Sequence, residues 1–208
     1  MGELITKTQK IETDQFGASD LEIQTGANKT LKLTTSAWRD INLGAGVFTN
    51  PASSIPGEVQ FVDNTGANTG IYTYGFAVGE KVSGDFEMQH DYKEGTDLYF
   101  HVHFQGNDAP TGTDKVRWQL TYTFMQDGET LAPATPITKE CDCDTQYEAI
   151  RCDFDAIDGT DIKIGDQFLF TLERIAATTD EYAGDAVVAT IGMHIQLDTL
   201  GSRQIGTK

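Results

Sequence analysis

Apolar and polar residues alternate along most of this chain with a period of two, the spacing that sends successive side chains to opposite faces of a β-strand. The cleanest case is VRWQLTYTF, residues 116–124. Val116, Trp118, Leu120, Tyr122 and Phe124 share one face there, and Arg117, Gln119, Thr121 and Thr123 share the other. DLYFHVHFQ, residues 97–105, groups Leu98, Phe100, Val102 and Phe104, with Tyr99, His101 and His103 opposite. FLFTLERIA (168–176) groups Phe168, Phe170 and Leu172. DAVVATIGMHIQLD (185–198) groups Val187, Ala189, Ile191, Met193, Ile195 and Leu197 as an inward set. WRDINL (38–43), IYTYGFAV (71–78), GDFEMQHDY (84–92) and EAIRCDF (148–154) read as further strands. No segment carries apolar residues at i, i+3, i+4 and i+7 over three helical turns.

This pattern predicts an all-β chain whose main body, residues 37–208, is a jelly-roll-like β-sandwich of about eight strands. The Gly-, Asn-, Ser- and Pro-rich stretch 44–70 reads as one long loop, and a loop of that length is more often functional or interface-forming than idle. Residues 1–36 read as a separate N-terminal attachment arm or stem. Within it, DLEIQTGANKTLKLTT (20–35) holds two short alternating strands around a TGAN turn, with Leu21, Ile23, Leu31 and Leu33 as the apolar positions. A two-stranded ribbon is marginal alone, so these residues need the main body or copies from other subunits to cover them. Winding three chains together would meet that need. Leu21, Ile23, Leu31, Leu33 and, at the junction, Trp38 are therefore the candidate oligomer and attachment interface.

Charge narrows the partners. The net charge is −17 and the sequence pI is near 4.4, a surface that repels phosphate backbones and anionic lipid. No nucleic-acid or membrane partner is expected. The first residues, MGELITKTQKIETDQ, lack the apolar stretch of a secretory signal, and no run approaches the length of a membrane span. The three cysteines, Cys141, Cys143 and Cys152, are odd in number in a chain that is not small, so free thiols rather than a disulfide framework are expected.

Candidate chemistry is sparse. Gly95, His101 and His103 match the start of a cupin metal motif, and two His at i and i+2 on a strand point the same way. The motif then needs a Glu where this chain reads FQGND, and its later Gly, Pro and His element is missing. His101 and His103 therefore remain metal candidates of second rank, on a polar or subunit-facing sheet surface, where a ring of such His around a three-fold axis is another arrangement. His194 falls in the polar phase of its strand and His90 in the apolar phase of its own. No nucleophile elbow and no phosphate loop occur. No catalytic residue and no cofactor is expected. Tyr72, Tyr74 and Tyr99 could form a ligand surface on which sugar rings stack, or a subunit interface, where Tyr is also enriched.

HDYKEGTDLYFHVHF (90–104), VRWQLTYTF (116–124), EYAGDAVVATIGMHIQLD (181–198) and TLGSRQ (199–204), preceded by Trp38-Arg39-Asp40, resemble a group of tailed-bacteriophage virion proteins of head-decoration, head-fibre or tail-associated type. The resemblance spans roughly residues 37–205 and leaves the arm outside. It implies a non-enzymatic structural protein, made in the bacterial host cytoplasm and placed on the virion surface. A homotrimeric knob that also contacts the major capsid protein or another head or tail protein fits the arm and the resemblance. The rival readings are a receptor- or glycan-binding fibre-tip module that meets a host-surface glycan, and a cupin-like metal-binding enzyme.

Overall fold

The computed structural model describes residues 21–23, 31–44 and 47–202. It is an all-β, jelly-roll-like sandwich of two antiparallel sheets. The seven-stranded sheet is built around its last strand, which pairs with three others. That strand is β11 (Ala186–Thr199), and β2 (Leu31–Gly44) pairs with it from Thr190 onward. On the same flank, β4 (Asn68–Phe76) takes residues Ala186 to Val188, and β3 (Gly57–Val62) pairs with β4. The other flank carries β6 (Tyr99–Gly106) and then β9 (Ala149–Asp153). The three-residue β1 (Leu21–Ile23) pairs with the start of β2. The second sheet runs β5 (Lys81–Glu87), β10 (Gln167–Ile175), β7 (Lys115–Met125) and β8 (Thr135–Asp142).

The alternation read from the sequence accounts for the core. Phe100, Val102 and Phe104 from one sheet meet Val116, Trp118, Leu120, Phe168, Phe170 and Leu172 from the other, all buried. Trp118 sits between Phe76 and Phe104, edge-on to each at 5.3 and 5.7 Å between ring centres, the geometry aromatic quadrupoles favour. Tyr122 and Phe124, at the far end of β7, are only partly buried but pack on Phe168.

Five expectations are corrected. The stretch 44–70 is not one loop, because β3 and the start of β4 form a hairpin inside it. Its residues were hard to read as strands because this hairpin puts little into the core. The strand expected over 84–92 ends at Glu87, and Met88 and Tyr92 are buried in the turns that follow. β8 is a strand that the apolar pattern does not announce, for Ile137 is the only large apolar side chain in TPITKECD. The inward set of the last strand changes phase. A bulge between Val188 and Thr190 lets Ala186 and Val188 face the core beside Ile191, Met193 and Ile195, and leaves Ala189 exposed. Finally, Cys141 and Cys152 are joined as a disulfide between β8 and β9, the edge strands of opposite sheets, while Cys143 alone is a free, buried thiol. The odd count could not reveal that two of the three lie opposite each other with Cα atoms 5.8 Å apart.

A charge also enters the core. Arg174 continues the inward phase of Phe168, Phe170 and Leu172, yet it is 1% exposed. Its guanidinium donates to the carbonyls of Phe76 (2.7 Å), Gly184 (2.5 Å) and Tyr182 and to Glu181 Oε1 (2.7 Å). One side chain of β10 thus ties its own sheet to the end of β4 in the other and to the connection that leads from β10 to β11.

β2 runs without a break through residues 31–44. Leu21 stands opposite Leu33, and Ile23 opposite Leu31, in the β1–β2 register. Lys32 pairs both with Glu22 and with Thr199 of β11, so the arm strand is continuous with the main sheet. The TGAN turn and residues 1–20 of the arm lie outside the described residues, as does the end of the TLGSRQ tail. No helix among the described residues is long and apolar enough to cross a membrane.

Candidate functional site

The outer face of the seven-stranded sheet gathers most of the sequence-level candidates. Antiparallel register places Asn42, Gly192, His101 and Asp153 in one row across β2, β11, β6 and β9. The next row holds Asp40, His194 and Tyr99. The row on the other side holds Thr190, His103 and Arg151. Trp38 lies beyond, opposite Gln196. The period of two decides the face: these residues alternate with the core set Ile41, Phe100, Val102, Ile191 and Met193.

His101 departs from expectation. It stands on the outer face, as its phase predicts, but its exposure is 0%. Gly192 supplies the room. A methyl at that position would sit 2.5 Å from His101 Nε2 and 2.8 Å from Asn42 Oδ1, so only a residue without a side chain lets the ring lie down on the sheet. His194 stacks on the ring at 4.5 Å, and His103 meets it edge-on at 5.0 Å. Neither ring nitrogen of His101 has a hydrogen-bond partner.

Asp40 completes the group. Its two carboxylate oxygens lie 3.7 Å from His101 Nε2 and 3.7 Å from His194 Nε2. The donor atoms of Asp40, His101 and His194 all fall within 4.8 Å of one another. Burial pushes the His101 imidazole below its ordinary value, and the neighbouring His194 and His103 add to this against the pull of Asp40. His101 is therefore held neutral with a lone pair to offer. The sequence reading paired His101 with His103; the structure instead brings His194 and Asp40 to the Nε2 of His101. Both carried a signal, since each sits in the polar phase of its strand, but the register that unites them is tertiary.

Beside this cluster lies an open depression lined by Trp38, Tyr99, Arg151, Asp153 and His194. Trp38 is 56% exposed and meets Tyr99 edge-on at 5.5 Å. Arg151 pairs with Asp153 at 2.9 Å. The arrangement offers two ring faces next to charged and imidazole hydrogen-bonding groups. The three tyrosines do not form one surface. Tyr99 belongs to this outer face, whereas Tyr74 packs against the core in the row of Val188 and Phe104, and Tyr72 shares the phase of Tyr74 farther out on the β3–β4 hairpin. The outer half of the hairpin is exposed on both faces, with Ile71 63% and Tyr72 64% open to solvent. Gln60 Nε2 donates to the Tyr72 hydroxyl at 2.7 Å across it.

No family model matches the chain, and no curated protein matches it. Among solved structures it is similar to dimeric latent PorU from Porphyromonas gingivalis, at a TM-score of 0.36 and 9% identity, covering 78% of this chain and 13% of that one. The chain thus spans a small fraction of that protein's length. It is also similar to TmCBM61, solved in complex with β-1,4-galactotriose, at a TM-score of 0.30 and 11% identity, covering 78% of this chain and 85% of the other. At these scores neither likeness assigns a ligand or a role to this chain.

Proposed function

We propose that this chain is a non-enzymatic structural protein of the tailed-phage virion surface, a trimeric knob whose sandwich is carried on the β1–β2 arm. The observation that carries the reading is where apolar surface is left uncovered. Ile71 and Tyr72 are exposed on opposite faces of one hairpin, and Trp38 is exposed on β2 near its arm end. A hairpin that offers apolar side chains on both faces is suited to insertion between neighbours. The arm strands add leucine and isoleucine in cross-strand register at a sheet edge. The resemblance of residues 37–205 to virion proteins supplies the setting, and the acidic surface favours a basic or cationic neighbour on the particle. The test is location. An antibody raised against the chain should label intact, purified particles. A chain abundant in infected-cell lysate but absent from particles by mass spectrometry overturns the proposal.

A second reading is favoured by one feature, the Trp38–Tyr99 pair beside Arg151, Asp153 and His194. Such a site suits a sugar ring, stacked on the aromatics and hydrogen-bonded at its edge. Trp118 is buried, so Trp38 is the solvent-facing reporter. Host polysaccharide should shift the Trp emission of the wild type and not that of Trp38→Ala. No shift at saturating polysaccharide removes this reading.

A further inference from the structure

We infer that Asp40, His101 and His194 form a binding site for a divalent first-row transition-metal ion, of which Zn²⁺ is the natural probe. Three independent features converge on it. First, the donor set is two imidazoles and one carboxylate, which suits Zn²⁺ and its neighbours and not the all-oxygen preference of Mg²⁺ or Ca²⁺. Second, the spacing is near that of ligands around one ion. Bonds of about 2.0–2.1 Å in tetrahedral geometry separate donor atoms by about 3.3–3.4 Å, and both Asp40–His pairs stand at 3.7 Å with all three donors within 4.8 Å. Third, His101 is fully buried and neither of its nitrogens has a hydrogen-bond partner, although buried polar groups are rarely left so. Its Nε2 lies 3.7 Å from Asp40 Oδ1, too far for a hydrogen bond, and an ion between them would satisfy it.

The site is asymmetric in a useful way. His101 is fixed by the sheet and by the space that Gly192 leaves, while Asp40 and His194 are partly exposed and can adjust. The two rings now stack at an interplanar angle of 25°, so the more exposed His194 must swing to aim its lone pair at a shared ion. Three protein ligands leave a further coordination position on the outer, solvent-facing side. His194 also lines the Trp38–Tyr99 depression, so that position lies beside it. The inference does not rest on the virion or the glycan reading, since it uses neither.

The experiment is a titration of the full chain after chelator treatment and dialysis, with Zn²⁺ by calorimetry and Co²⁺ by visible absorption. Millimolar Mg²⁺ in the buffer occupies the acidic surface. The expected result is one equivalent of Zn²⁺ per chain, with Co²⁺ giving ligand-field bands of a nitrogen- and oxygen-bound ion. His194→Asn and Asp40→Asn should each weaken binding at least tenfold. Asp63→Asn, in an exposed turn where that carboxylate bonds to Thr65 and Ala67, should leave it unchanged. Gly192→Ala should weaken binding by displacing the His101 ring. His101→Asn serves as a further variant where circular dichroism confirms its fold, but the surface variants decide the matter without it. Absence of stoichiometric binding, or equal binding by wild type, His194→Asn and Asp40→Asn, overturns the site.

Discussion

Replacing Arg174 with Met should remove a large part of the stability of this protein. Met roughly keeps the aliphatic stem but takes away the guanidinium, and with it the four hydrogen bonds it donates. The Glu181 carboxylate is partly exposed and can turn to water. The carbonyls of Phe76, Gly184 and Tyr182 are the acceptors that lose a charged donor. A buried acceptor left without a partner costs about 1–3 kcal/mol, and the groups here are linked, so their losses do not simply add. The loss expected is about 3–5 kcal/mol, the range for breaking a buried charged network by removing one partner. Against a total stability of about 5–15 kcal/mol, that is enough to bring the variant close to unfolding at physiological temperature. Urea denaturation followed by far-ultraviolet circular dichroism and by tryptophan fluorescence measures it. Both probes should move together, with the wild-type slope and a lower midpoint. A loss below about 1 kcal/mol would refute the claim that Arg174 pins the two sheets together.

Other outcomes follow from the same structure. Reducing the Cys141–Cys152 bond, or replacing both residues by Ala, should cost about 3 kcal/mol in urea denaturation, because the bridge closes a short loop between the edges of opposite sheets; an unchanged midpoint would count against the pairing. Burial raises the Cys143 thiol from 9.0 to about 11 and the Tyr182 hydroxyl from 10.0 to about 12. Both groups lose their protons more readily in the unfolded chain. Stability is therefore fully present below about pH 9 and falls as pH rises through 9 to 12. For Cys143 alone the fall is on the order of 2–3 kcal/mol by pH 11, and Cys143→Ala should flatten that part of the profile in thermal melts at stepped pH. A variant as alkali-sensitive as the wild type would contradict the assignment.

The sequence made the core legible because β6, β7 and β10 alternate strictly and bury one face against a second sheet. Period two is then enough to name Phe100, Val102, Trp118, Leu120, Phe168 and Phe170. It failed where burial is not set by phase alone. β3 and β8 lie at sheet edges and contribute little to the core, so their strands lack the apolar beat. The bulge after Val188 shifts the phase by one residue, which no count of alternation can foresee. Arg174 sits at an inward position because neighbouring carbonyls converge there, a fact of tertiary structure. The outer-face cluster was half visible. His101 and His103 stood out as a pair, but His194 and Asp40 come from strands far apart in sequence, and the burial of His101 depends on the missing side chain of Gly192 across the sheet.

The proposed self-association through the arm and the exposed hairpin is tested most directly by the native mass of the purified chain. Multi-angle light scattering should give three times the 22.8 kDa of one chain, with the Leu31→Ser, Leu33→Ser double variant falling apart to single subunits. A wild-type chain that remains a monomer across the concentration range would contradict it.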